Sequence, residues 1–159
     1  MMFSRKQVAK LAARPQGSAD AAPDVDAARP GASQITTKRR GDAAEALALD
    51  YLRKAGLKLL DSNYRTPGRG GGEIDLVMRA PDRTLVFVEV RQRSSGSHGG
   101  AAASIGSTKQ QRIIFAARHY LMRFASPPPC RFDVVLVQGG LASDTGATVE
   151  WLQAAFDAS

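Results

Sequence analysis

A chain of 159 residues with 43% hydrophobic side chains is long enough for one domain with its own core. No apolar run approaches the roughly 20 residues that span a bilayer, which argues against a membrane protein. The net charge of +7 and a pI near 10.1 point to a polyanionic partner, yet the charge is uneven: residues 1–40 hold eight Lys/Arg against three Asp, and the rest holds 14 Lys/Arg against 12 Asp/Glu.

Residues 1–34 are rich in Ala, Pro, Gly, Asp, Gln and Ser, a composition that cannot bury enough apolar surface to offset its ordering entropy, so disorder is expected there. Arg5, Lys6 and Lys10 precede no compact apolar stretch, so no secretory signal is read. Lys38-Arg39-Arg40 closes this tail, either as a solvated linker or as a phosphate-contacting arm. The boundary is placed at 37/38, with 1–37 as a basic tail and 38–159 as the domain.

Gly41 to Ala55 reads as a helix. Ala44, Leu47, Ala48, Tyr51, Leu52 and Ala55 recur at the spacing of one buried stripe, and Gly56 ends it. Glu45 lies at the edge of the stripe, where it can lean toward whatever the helix covers or simply suit the helix dipole. Leu57 to Tyr64 is a strand. The loop from Arg65 through Gly72 holds four glycines together with Arg65 and Arg69, a flexible turn that can follow a ligand backbone closely or merely connect two strands.

Two apolar, β-branched runs follow, Glu73 to Met78 and Leu85 to Arg93, joined through Pro81-Asp82, which predicts a hairpin. Side chains alternate faces, so Glu73 and Asp75 share one face, as do Glu89 and Arg91. A three-residue loop at Pro81, Asp82 and Arg83 sets Asp75 opposite Glu89 and Glu73 opposite Arg91, with Cβ atoms roughly 5 Å apart. Opposed carboxylates repel unless a cation sits between them, and a hard divalent ion is the simplest one. The alternative is a solvated sheet face with a Glu73–Arg91 ion pair.

A small-residue loop runs from Ser94 to Gly106. Ser107 and Gln110 then form the pattern of a capping box, opening a helix that should bury Ile113, Ala116, Ala117, Tyr120, Leu121 and Phe124. Lys109 and Arg112 sit in its first turn, where the helix dipole disfavours cations. They either point to solvent or meet an external anion beside the free amides. Pro127-Pro128-Pro129 stops the helix. Arg131 to Val137, apolar on both faces, is expected in the middle of the sheet. Ala147 to Leu152 is a last short strand, followed by an amphipathic end with Phe156. The single cysteine, Cys130, fits a reducing compartment such as the cytoplasm and is expected to be a small buried hydrophobe. His98 and His119 stand alone, which argues against zinc.

The order helix, strand, strand, strand, helix, strand, strand predicts an α/β fold, a mixed sheet flanked by helices. The strands around the second helix should be parallel neighbours. This order, with an acidic residue on the second strand and Glu-x-Arg on the third, resembles the restriction-endonuclease-like core. Gly41-Asp42-Ala43-Ala44-Glu45, Asn63-Tyr64-Arg65, Gly72-Glu73-Ile74-Asp75-Leu76, Val86-Phe87-Val88-Glu89-Val90-Arg91, Lys109 and Arg131-Phe132-Asp133-Val134-Val135 are together similar to the YraN family of bacterial proteins. The resemblance covers roughly Lys38 to Phe156. It implies a Mg²⁺ (or Mn²⁺) site on Asp75 and Glu89, with Glu45 in support and Arg91 facing the scissile phosphate of DNA or a structured nucleic acid. Arg65, Arg69, Arg93, Lys109 and Arg112 are the expected phosphate contacts. Arg91 stands where such nucleases most often carry lysine, and arginine cannot serve as a general base. A binding module without hydrolysis and a protein-interaction domain remain the competing classes.

Overall fold

A computed structural model of the chain describes residues 32–93, 105–139 and 146–159, with side chains from residue 37 onward. The chain divides into units 1–30 and 31–159, and every described residue belongs to the second. The disorder expected for residues 1–34 therefore falls almost wholly outside the described residues, as do His98, most of the Ser94–Gly106 loop and residues 140–145.

The elements are α1 (Ala32–Lys54), β1 (Lys58–Arg65), β2 (Glu73–Arg79), β3 (Leu85–Arg93), α2 (Ser107–Leu121), β4 (Cys130–Gln138) and β5 (Thr148–Phe156). This is the expected order. Five strands form one sheet in the order β1-β2-β3-β4-β5. β3 and β4 run parallel and the other pairs antiparallel, so the sheet is mixed and β4 is internal, as its two apolar faces require.

α1 begins nine residues before the expected Gly41. Lys38-Arg39-Arg40 is helical rather than a linker, and the Arg40 carbonyl accepts a bond from Gln92 Nε2 at 3.1 Å. A glycine inside a helix costs only about 1 kcal/mol relative to alanine, so Gly41 does not stop it. The C-terminus follows the sequence closely. Gly56 has φ +98°, its N–H donates to the Arg53 carbonyl, and the Leu57 N–H donates to the Leu52 carbonyl, which is a Schellman motif.

The helices cover opposite faces of the sheet. Ala44, Ala48 and Leu52 of α1 pack with Leu76, Met78, Val86, Val88, Val135 and Val137. Ile113, Ala116, Ala117 and Tyr120 of α2 pack with Ile74, Val77, Leu85, Phe87, Phe132, Val134 and Leu136. The buried stripes are narrower than expected: Leu47, Tyr51, Ala55 and Phe124 are exposed, and Leu121 is partly so. Small alanines in the stripe bring each helix close, and its neighbours then overhang the contact. Cys130 is also exposed, because it opens β4 before the strand passes beneath α2.

Two side-chain networks fix the rims. Asp133, fully buried on β4, accepts from Arg131 Nε at 3.0 Å, Trp151 Nε1 at 2.9 Å and the Ala154 N–H at 2.9 Å. It thereby holds β5 across the irregularity between Phe132 and Val134. β5 continues to Phe156, beyond the expected end at Leu152, because Phe156 stacks on Phe132. At the other edge the Tyr64 hydroxyl shares a hydrogen bond with His119 Nδ1, and the Arg123 guanidinium lies over the Tyr120 ring at 4.1 Å while pairing with Asp61.

Candidate functional site

The site is positioned by the β2–β3 hairpin. Ala80 and Thr84 close its turn, with the Ala80 N–H donating to the Thr84 carbonyl and the Arg83 N–H to the Ala80 carbonyl. Asp82 Oδ1 accepts the Thr84 N–H at 2.9 Å. This is the three-residue loop expected at Pro81, Asp82 and Arg83, and it fixes the register Arg79↔Leu85 through Leu76↔Val88. One step further, Asp75 and Glu89 follow in register, but the ladder stops at Leu76. The Asp75 side chain takes over from the backbone, with Oδ2 accepting the Val90 N–H at 2.8 Å.

The other side of β2 is irregular at the same level. Asn63 of β1 stands between the paired positions Ser62↔Leu76 and Tyr64↔Ile74 and has φ +51°, a left-handed conformation that asparagine tolerates better than most residues. Its amide donates to Glu45 Oε2 of α1 at 3.4 Å. Burial raises the Glu45 pKa, and the negative charge of Asp75 raises it further. α1 thus delivers a third carboxylate into the field of the pair. Asn63 is a site residue that sequence reasoning quoted only as part of a motif; its signal was a turn-tolerant residue inside a strand.

Glu89 is buried. Its Oε1 receives Lys109 Nζ at 3.2 Å, whereas its Oε2 is buried without a hydrogen-bond partner. Burial, followed by the Asp75 charge, pushes the Glu89 pKa up to about 7, against the pull of Lys109. Burial also raises the Asp75 pKa, opposed by the Val90 N–H. Two carboxylates beside each other can satisfy Oε2 only with a shared proton or a cation. Among the described residues no three His, Cys, Asp or Glu side chains gather into a metal cage. Asp75 and Glu89 by themselves would suit only an ion that takes few protein ligands. Mg²⁺ does so, binding through one or two carboxylates and keeping its remaining positions for water and substrate phosphates.

The N-terminal cations of α2 acquire a partial explanation. Lys109 points back over the sheet to Glu89 rather than only outward. The helix is not opened by a capping box, however: Gly106 is the N-cap, no side chain caps the helix, and Gln110 Nε2 donates to the Ile105 carbonyl at 2.8 Å. Ser107 is already inside the helix and cannot act as its cap. α2 is set close to the site by Gly72, where a Cβ would meet the Arg112 carbonyl oxygen at 1.8 Å and the Ala116 Cβ at 3.0 Å. The glycine-rich turn is tied shut as well. The Gly72 N–H donates to Thr66 Oγ1 at 2.8 Å, and the Thr66 N–H donates to the Gly72 carbonyl.

The remaining expected contacts divide. Glu73 pairs with Arg65 across β1–β2 at 2.9 Å, because β1 continues alongside β2 at this level whereas the β2–β3 ladder ends at Leu76. Arg91 shares the strand face of Glu89 and is partly buried. Arg69 and Arg112 are exposed on the turn and on α2. Arg93, at the end of β3, reaches Glu150 of β5 at 3.7 Å.

A sequence profile for "Uncharacterised protein family UPF0102" matches residues 44–137, the span from the first buried residue of α1 to the penultimate residue of β4. A UPF0102 protein of Polaromonas sp. (strain JS666 / ATCC BAA-500) is 67% identical over 161 residues, covering all of both chains. One from Polaromonas naphthalenivorans (strain CJ2) is 68% identical over the same extent. One from Albidiferax ferrireducens is 68% identical over 123 residues, covering 77% of this chain and 91% of its own. With its profile spanning both helices and the hairpin that carries Asp75 and Glu89, the chain belongs to the bacterial family UPF0102, the YraN family that its motifs resemble.

Proposed function

We propose that the chain is a Mg²⁺- or Mn²⁺-dependent endonuclease acting on DNA or structured nucleic acid, with Asp75 and Glu89 as the residues that hold the cation. The observation that carries this reading is Glu89 Oε2, a buried oxygen with no donor, beside the Asp75 carboxylate. When bound there, a divalent ion supplies Lewis-acid polarisation of a phosphodiester and neutralises charge developing on it. Lys109 holds Glu89 in place and keeps positive charge beside the pair. Arg91, charged at every working pH, orients a phosphate and takes no proton. Glu45, with its raised pKa, can hold a proton near the site. Arg65 is free to exchange Glu73 for a phosphate, since an exposed ion pair is worth at most about 1 kcal/mol, and Arg69 and Arg112 extend the same rim.

Arginine in place of lysine at position 91 favours a second reading, a nucleic-acid-binding module of the same fold that does not hydrolyse. The test is cleavage of duplex, single-stranded and branched DNA by the full chain with Mg²⁺ or Mn²⁺, run beside thermal melting. Expected are metal-dependent products lost in Asp75→Asn, and a metal-induced rise in melting temperature that is larger at pH 8 than at pH 5.5, because the ion must displace the Glu89 proton. Salt-sensitive binding without products would establish the second reading. Equal metal shifts in the parent and Asp75→Asn would remove the cation from this site.

A further inference from the structure

At the opposite end of β2 from the carboxylates, a cleft of about 450 Å³ is lined by Gly56, Lys58, Arg79, Ala80, Pro81 and Arg83. Arg79 lies four residues beyond Asp75, about 13 Å along the strand. Three cations therefore meet here from three separate segments: the start of β1, the end of β2 and the hairpin turn. None of them makes an ion pair among the described residues.

One feature sets this cleft apart from an ordinary basic surface. Lys58 and Arg79 are direct cross-strand partners, so two like charges stand opposite each other on one face, an arrangement that is destabilising unless an anion lies between them. Arg83 has φ +73°, the left-handed residue that closes a three-residue hairpin loop, so the turn itself fixes the backbone that carries the third cation. The acid within the turn does not balance them. Asp82 is spent on the Thr84 N–H, which together with the Thr84 side chain holds its pKa low.

We propose that this cleft binds an oligophosphate, two or more linked phosphate groups such as the diphosphate of a nucleotide, on Lys58, Arg79 and Arg83. The volume lies in the range of small-molecule sites, about 300–1,000 Å³, and three cations exceed what one phosphate neutralises. Gly56, Ala80 and Pro81 give the cleft a wall without competing donors or acids.

The test is calorimetric titration of the full chain with inorganic pyrophosphate, orthophosphate and sulfate in EDTA at matched ionic strength, repeated on Arg79→Gln and Arg83→Asn. Arg83→Asn suits the left-handed backbone, so its melting temperature should equal or exceed that of the parent, and a loss of binding there cannot be a loss of folding. Expected is a preference for pyrophosphate over both single anions, weakened about tenfold in each variant. Equal pyrophosphate affinity in the parent and both variants would overturn the proposal, as would no preference over sulfate. A loss of affinity for a short DNA duplex in both variants, with pyrophosphate binding unchanged, would assign the cleft to a nucleic-acid backbone and overturn it equally.

Discussion

Replacing Glu89 with glutamine tests the electrostatic account of the site most directly. The folded chain holds the Glu89 proton more tightly than an ordinary carboxyl does, at about 7 against 4.5. Stability is then fully present below pH 4.5 and is lost as pH rises through 7, with no further change from this group above that. At about 1.4 kcal/mol per pH unit, the loss is about 3 kcal/mol on going from pH 4.5 to pH 8. Glutamine keeps the shape, carries no charge, and offers Asp75 the donor that Oε2 lacks. The Lys109 ion pair that the variant forgoes is already counted in that loss, because it pulls the Glu89 pKa down against burial and the Asp75 charge. Glu89→Gln should therefore be about 3 kcal/mol more stable than the parent at pH 8, a rise of roughly 10 °C for a domain of this size. Near pH 4.5 the two should be indistinguishable. The assay is thermal unfolding in EDTA across pH 4.5 to 8. A variant less stable than the parent at pH 8, or a gap that does not change with pH, would refute the reasoning.

Gly72→Ala should destabilise the fold by about 2–3 kcal/mol, because its Cβ meets the backbone of α2 rather than a side chain that could move; chemical denaturation measures this. Asp133→Ala should cost about 3 kcal/mol or more, since it strands Arg131 and the Trp151 and Ala154 N–H groups. Near-ultraviolet circular dichroism should report the disturbed Trp151 even where the chain remains folded.

How far the sequence reaches is plain from the hairpin. A three-residue turn leaves one register, so the juxtaposition of Asp75 with Glu89 follows from counting residues outward from Pro81-Asp82-Arg83. The Schellman end of α1 at Gly56 and the interior place of β4 are equally local facts, carried by one glycine and by an apolar run on both faces. The start of α1 is not legible in the same way: Ala32 lies in a stretch whose composition predicts disorder, and a lone glycine at position 41 costs a helix too little to end it.

Tertiary structure decided what no spacing records, namely which neighbour each polar side chain meets. Glu73 turns to Arg65 because β1, and not β3, is beside it at that level. Lys109 finds Glu89 because Gly72 lets α2 approach across a gap that any Cβ would hold open. Arg93 goes to Glu150 because β5 lies at that edge of the sheet. Asn63 bends β1 where Asp75 leaves the ladder, and Glu45 enters from α1 at that point. Alternation along a strand fixes the face of a residue; its partner is fixed by elements that arrive from distant parts of the chain, and only their packing says which charges are brought together and deprived of water.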